Sequence, residues 1–316
     1  MQTIEIQIIG ESVVDCVECI DGSSTTHPGG SAANVAIGLA RLGRQVGFLT
    51  QLGADRHGVL MRDHLERAGV QLRVADADGA RTPSARAVLD QSGAAHYELD
   101  VDWLLNPAAV QVGQAHLHLG SFPAFLSEPT DVDDLLRRAH AVTTTSLDPN
   151  IRPALLPPSD LVRVRLETLL AWIDVIKASD EDIAWLYPGR DPIDVISHWL
   201  DLGPSLAIVT LGSEGSIAAG AAGLARVPAL RVEVADTVGA GDSYMSALLD
   251  GLAGANLLGA ASRDALRASP SGTVQTIVKR AARAAAITVT RPGANPPTLD
   301  ELGAEPKAPL ASVATT

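Results

Sequence analysis

One cycle recurs along this chain: a short apolar run, an amphipathic stretch of helix length, a closing glycine, then the next apolar run. Residues 4–9 alternate and then run apolar, which predicts a first strand ended by Gly10. Over residues 32–42, Val35, Leu39 and Leu42 fall at i, i+4 and i+7, and Ala36 and Ala40 leave room for close packing, so a helix is expected. Gly43 stands where a helix C-cap belongs. Residues 46–52 then predict a strand, and residues 57–68 a helix closed by Gly69. A strand–helix–glycine–strand cycle points to a parallel sheet with helical crossovers.

The cycle breaks twice. Residues 13–27 and 82–99 alternate like short strands, with turn signals at Asp21-Gly22 and Gln91-Ser92-Gly93 and no helical pattern. Two such excursions predict a small separate sheet over one edge of the α/β body, read here as a lid. The cycle resumes with strands over 115–119, 144–148, 175–178 and 206–210. Helices are expected over 132–141, 161–172, 181–186, 193–202, 242–252 and 273–288. The expected organisation is a core of residues 1–12, 28–81 and 100–300, a lid of residues 13–27 and 82–99, and a disordered tail over 301–316, where Ala, Pro, Ser and Thr dominate.

Composition narrows the function classes. Lys and Arg number 24 against 37 Asp and Glu, a net charge of −13, which argues against nucleic-acid or anionic-membrane partners. No run approaches the roughly 18 apolar residues of a membrane span, no basic start precedes an apolar run, and two cysteines make no disulfide framework. A cytoplasmic location is expected. Aromatics are only 3%, so Ala, Val, Leu and Gly must build the core.

Four segments could carry chemistry. In Asp236-Thr237-Val238-Gly239-Ala240-Gly241-Asp242, two glycines allow a tight turn whose N–H groups, at a helix N-terminus, suit a phosphate or a developing negative charge. Asp242 would place a carboxylate on the same cavity; an Asp N-cap after a glycine turn is the plainer alternative. Gly29-Gly30-Ser31-Ala32-Ala33-Asn34 leads into a helix, and Asn34 can donate and accept, as a polyol requires; an ordinary loop is the alternative. Gly10-Glu11-Ser12-Val13-Val14-Asp15 lies where the first strand ends, where open α/β sheets place ligands, and Asp15 could bind hydroxyls or sit idle at the surface. Thr210-Leu211-Gly212-Ser213-Glu214-Gly215 suits either a nucleotide-phosphate loop or a hairpin turn.

Together, and in their order along the chain, the four segments resemble the ribokinase-like (PfkB) family of carbohydrate kinases. Asp148-Pro149-Asn150-Ile151-Arg152, Lys177-Ala178-Ser179-Asp180-Glu181-Asp182 and Arg291-Pro292-Gly293-Ala294 resemble its fructokinase-like branch. The resemblance implies a three-layer α/β sandwich with a mostly parallel central sheet and a small β lid, and ATP-dependent phosphorylation of a sugar hydroxyl. It implies Asp242 as catalytic base and Gly239, Ala240 and Gly241 as an anion hole. Asp15, Gly29, Gly30, Asn34 and Arg152 would hold the sugar. Lys177, Ser179, Thr210, Gly212 and Gly215 would line the nucleotide site. The family's Asn-x-x-Glu motif, which helps place Mg²⁺, here reads Ser179 and Asp182, so Asp182 is the carboxylate left for the metal. Parts of the family hold a monovalent cation such as K⁺ near the loop of Asp236, and relatives pair through their lids, so a homodimer is in scope.

Competing readings are a 2-keto-3-deoxygluconate kinase, a nucleoside kinase of the same fold, and a catalytically silent sugar sensor. Neither a Gly-x-Gly-x-x-Gly after the first strand nor a Walker loop occurs. Cys16 and Cys19 lack the second pair of a zinc site, and His116 and His118 lack a nearby third ligand. The four tryptophans are expected to be packing residues, with the pocket edge as the alternative for Trp103 and, more weakly, for His118, and the cations of residues 279–283 are expected on a solvated face.

Overall fold

The computed structural model describes residues 4–18, 24–75, 79–89, 95–101, 103, 110 and 112–303. Its strands are β1 (Ile6–Ile9), β2 (Val13–Glu18), β3 (Ser24–Gly29), β4 (Val46–Thr50), β5 (Gln71–Val74), β6 (Ser84–Leu89), β7 (Ala95–Asp100), β8 (His116–Leu119), β9 (Thr144–Leu147), β10 (Val175–Ser179), β11 (Leu206–Thr210), β12 (Ser216–Gly220) and β13 (Gly223–Val227). Its helices are α1 (Ser31–Arg41), α2 (Arg56–Arg67), α3 (Ser121–Leu126), α4 (Pro129–Val142), α5 (Ser159–Leu170), α6 (Asp180–Leu186), α7 (Pro192–Leu202), α8 (Ala240–Gly254), α9 (Arg263–Arg267), α10 (Ser271–Thr288) and α11 (Leu299–Gly303).

Nine strands form one sheet in the order β13-β12-β11-β10-β9-β8-β1-β4-β5. Neighbours from β5 to β11 run parallel, and β12 and β13 add an antiparallel edge. Every residue of β1 is buried, so its two faces feed two cores. Ile6 and Ile8 pack with residues of α1, α8 and α10 such as Val35, Leu248 and Val278. Ile9 packs on the other face with residues of α4, α5 and α7 such as Leu135, Leu166 and Trp199. Helices thus cover both faces of the sheet, giving three layers. Each buried Leu or Ile contributes about 1.5–3 kcal/mol. The scarcity of aromatics has a visible consequence: α1 and α8 touch through small residues, and a Cβ on Gly38 would sit 2.4 Å from Ser246 Oγ.

A second sheet, in the order β3-β2-β6-β7, is built from the two excursions that broke the cycle. β2 pairs β3 antiparallel and β6 parallel. The expected turns at residues 21–22 and 91–93 lie outside the described residues. Periodicity missed β5, β12, β13, α3, α9 and α11, all short. The tail needs correction where it is described: residues 301–303 complete α11, and Glu301 holds Arg291 at 2.6 Å; residues 304–316 lie outside the described residues. The solvated face over residues 279–283 also needs correction, because Arg280 joins Arg44 in gripping the buried Asp250, at 2.7 Å each. Among the described residues, no helix is long and apolar enough to cross a membrane.

Candidate active site

A cleft of about 1360 Å³ opens at the C-terminal ends of the parallel strands, under the second sheet. Open parallel sheets bind ligands at this edge. All fifteen residues nominated from the sequence line it: Asp15, Gly29, Gly30, Asn34, Arg152, Lys177, Ser179, Asp182, Thr210, Gly212, Gly215, Gly239, Ala240, Gly241 and Asp242.

The first turn of α8 forms one wall. Gly239 is its N-cap, at φ 75°. A side chain there would be strained in the left-handed region and would sit 2.6 Å from Ala294 Cβ. The turn brings the free N–H groups of a helix start to the cleft, where they favour an anion. Asp242 follows, and α1 fixes it: Ser31 Oγ donates to Oδ1 at 2.7 Å and Asn34 Nδ2 donates to Oδ2 at 2.8 Å. Burial raises the Asp242 pKa; the Ser31 and Asn34 hydrogen bonds and Lys177 pull it back, while Asp148 adds to the rise.

At the end beneath the second sheet, Asp15 of β2 sits opposite His27 of β3. Burial raises its pKa, against the opposing pull of His27 and Arg152. Gly30 takes φ 100°, and a Cβ there would strike the Glu11 carbonyl at 2.7 Å. Sequence reasoning quoted Glu11 without using it. Its buried carboxylate faces two helix starts, Ala32 N–H of α1 and Phe122 N–H of α3, both at 3.4 Å, and burial pushes its pKa up to about 7. Val13, Val101, Phe122 and Leu155 give this end apolar walls. Trp103 stands behind the wall: its ring meets Phe122 edge-on at 5.7 Å, and its indole N–H donates to Ser127 Oγ.

β9 and β10 deliver the next group. Asn150 adopts φ 39° just after β9, an uncommon conformation for a residue with a side chain. Beside it, the Ile151 N–H donates to Asp182 Oδ1 at 2.7 Å. The other Asp182 oxygen accepts from Ser179 N–H at 2.8 Å and Ser179 Oγ at 2.7 Å, so these two residues form the capping box of α6. Lys177 Nζ donates to Asp148 Oδ2 at 2.8 Å, whereas Asp148 Oδ1 is buried without a hydrogen-bond partner. Burial alone would lower the Lys177 pKa; Asp148, with Asp182 and Asp242, outweighs it and holds the ammonium charged. The same Nζ lies 3.0 Å from where a Cβ on Gly241 would stand, which places a cation against the α8 turn.

At the far end, Thr210 closes β11 and residues Gly212–Glu214 form a single 3-10 turn into β12. The segment is therefore a hairpin that also lines the cleft. Leu230, Val232, Val234 and Val238, 37–59% exposed, face a slot also lined by Ala282, Ala285 and Ala286 of α10 and by Val289, its C-cap. The i, i+3, i+4, i+7 spacing of that α10 face was the sequence signal for it.

The two histidines are not at the pocket. His116 contacts Thr144 Oγ1 and Ser146 Oγ at 2.9 and 2.7 Å, and His118 contacts Ser146 Oγ at 2.8 Å. Burial pushes both down to about 3, so they are neutral core residues bonded to β9. Cys16 lies 3.9 Å from His57, and Cys19 falls outside the described residues. Among the described residues, no group of three or more His, Cys, Asp or Glu could hold a metal by itself.

Residues 3–301 match the pfkB family of carbohydrate kinases. A fructokinase of Klebsiella pneumoniae is 33% identical over 293 residues, covering 88% of this chain and 94% of that protein. The structure of a fructokinase from Xylella fastidiosa with bound ATP superposes with a TM-score of 0.81 at 25% identity, covering 95% of this chain and 97% of that one. Aminoimidazole riboside kinase from Salmonella enterica, complexed with aminoimidazole riboside and an ATP analogue, gives a TM-score of 0.78 at 26% identity, over 94% and 98% of the two chains.

Proposed function

Because the chain belongs to the pfkB family of carbohydrate kinases, we propose that it transfers the γ-phosphoryl group of ATP to a hydroxyl of a sugar of the fructose class, with Asp242 as base. The observation that carries this reading is the position of Asp242. It stands at the glycine-bounded start of α8, in one cleft with Asp15 and Asn34 on one side and Thr210, Gly212 and Gly215 on the other.

The chemistry follows from that placement. A sugar hydroxyl is a weak nucleophile, and a positioned carboxylate takes its proton as the new O–P bond forms. Burial raises the Asp242 pKa, which makes it a better acceptor. The bond from phosphorus to the ADP oxygen breaks in line, and the negative charge on the migrating group meets the α8 N–H groups and the Lys177 ammonium. Asp15, Asn34 and Arg152 orient the sugar. The adenine fits the slot between residues 230–238 and α10. The second sheet acts as the lid and keeps water from competing as acceptor.

Asp182 can take part in holding Mg²⁺. Its Oδ1 accepts one hydrogen bond and keeps a second acceptor position, enough for a water of a metal carried mainly on ATP phosphates. When bound, the metal neutralises phosphate charge. A monovalent cation such as K⁺ would sit beside the loop that Asp236 fixes by accepting from Val238 N–H and Gly293 N–H.

A panel of fructose, ribose, 2-keto-3-deoxygluconate and a nucleoside with Mg-ATP, read by coupled ADP release, tests the reading. Fructose should give the highest kcat/KM. Absence of sugar-dependent ADP release across the panel would leave a binding protein instead.

A further inference from the structure

We infer that Ser31 is a positioning residue for Asp242, fixing the orientation and the proton affinity of that carboxylate; this deepens the reading of Asp242 as base and rests on it. Ser31 is the first residue of α1, where a serine hydroxyl commonly turns back onto its own helix. Here the N-cap Gly30 supplies no side-chain cap, and the Ser31 hydroxyl points across to α8 instead. Ser31 and Asn34 lie three apart on one helical turn, and each donates to a different oxygen of the same carboxylate, at 2.7 and 2.8 Å. Two donors from one rigid turn hold the carboxylate plane. Each oxygen keeps one acceptor position, so the sugar hydroxyl can be received without displacing either donor.

The two donors differ in kind. Asn34 can also reach a ligand through its carbonyl, whereas the Ser31 hydroxyl gives its one proton to Asp242. The charged groups facing Asp242 from the surrounding elements are Glu11 after β1, Asp148 after β9 and Lys177 of β10. At Asp242 the Ser31 and Asn34 hydrogen bonds are the largest opponents of desolvation, ahead of the opposed charges of Asp148 and Lys177. Removing the Ser31 donor destabilises the charged carboxylate, so its proton is lost only at higher pH.

The test is the pH dependence of kcat/KM for the sugar at saturating Mg-ATP, in wild type, Ser31→Ala, Ser31→Thr and Asp242→Asn. Ser31→Ala should move the acid limb up by about one pH unit. Its kcat/KM then falls about tenfold below the limb and approaches wild type at high pH. Ser31→Thr keeps the hydroxyl and should restore the wild-type limb. A Ser31→Ala profile that superimposes on wild type overturns the proposal. So does a rise in KM of equal size at every pH, which would make Ser31 a sugar contact. Asp242→Asn separates the two readings: if it keeps wild-type turnover, the base assignment fails; if it is inactive while Ser31→Ala is unshifted, only the role of Ser31 fails.

Discussion

At the N-terminal edge of β9 and β10, Asp174 meets Arg263; at the opposite edge of the same two strands, Asp148 meets Lys177. Both carboxylates are almost fully buried. Both Asp174 oxygens are hydrogen-bonded: Oδ1 takes Arg263 Nε at 2.6 Å, and Oδ2 takes Thr145 N–H at 2.9 Å and Thr145 Oγ1 at 3.2 Å. Arg263 also donates to the carbonyls of His140 and Thr143, stapling the end of α4 to β9. Asp148 by contrast binds Lys177 through one oxygen and leaves the other without a partner, and Lys177 faces the cleft. An ion pair closed on all sides is part of the scaffold. The open pair holds a cation ready for an incoming negative charge.

Arg263→Met should break the closed pair with the largest effect on folding, about 3–5 kcal/mol, because Asp174 is left buried and charged. Denaturant unfolding measures the loss, and sugar-dependent ADP release per folded molecule should stay at the wild-type level. Lys177→Met also strands a buried carboxylate, Asp148, and should lower stability, but unlike Arg263→Met it should lower turnover per folded molecule as well, about 10²–10³-fold, the usual scale for removing a group that stabilises developing charge. A stability loss without a turnover loss at Lys177 would erase the distinction between the two ends.

A smaller effect comes from the groups buried between those ends. His116 and His118 titrate near 3 in the fold against an ordinary 6.5, so the stability they supply is present above pH 6.5 and lost as pH falls toward 3. Glu11 has the opposite sign: raised from 4.5 to about 7, it favours the fold when protonated, and that contribution is lost as pH rises through 7. Between about pH 4.5 and 6.5 these three groups alone leave a net of one proton taken up on unfolding, a slope of up to about 1.4 kcal/mol per pH unit; Asp15 and Asp242, also raised by burial, act with Glu11, and His64 and His140, also lowered by burial, act with the histidine pair. Unfolding midpoints across this range should fall toward acid, and His118→Asn should flatten the slope. A rise toward acid would show that the raised carboxylates outweigh the lowered histidines.

Much of the architecture was legible because parallel strands and their helices announce themselves locally, in periodicity and closing glycines. The α8 turn was legible for the same reason: Gly239, Gly241 and Asp242 are neighbours in sequence. What stayed hidden was pairing between distant segments. Ser31 and Asp242 are 211 residues apart, Lys177 and Asp148 are 29 apart, and no spacing rule links them. Histidines alternating on a strand suggest ligands until Thr144 and Ser146 are seen to occupy them. Ser179 and Asp182 suggest a metal motif, and the fold first uses them to cap α6.

The most direct measurement is a single-turnover assay that follows transfer of a labelled γ-phosphoryl group from ATP to fructose by wild type and Asp242→Asn, with nucleotide affinity measured on the same samples. The account predicts transfer slowed about 10²–10⁴-fold with ATP binding retained. Transfer at the wild-type rate from a folded Asp242→Asn enzyme would contradict it.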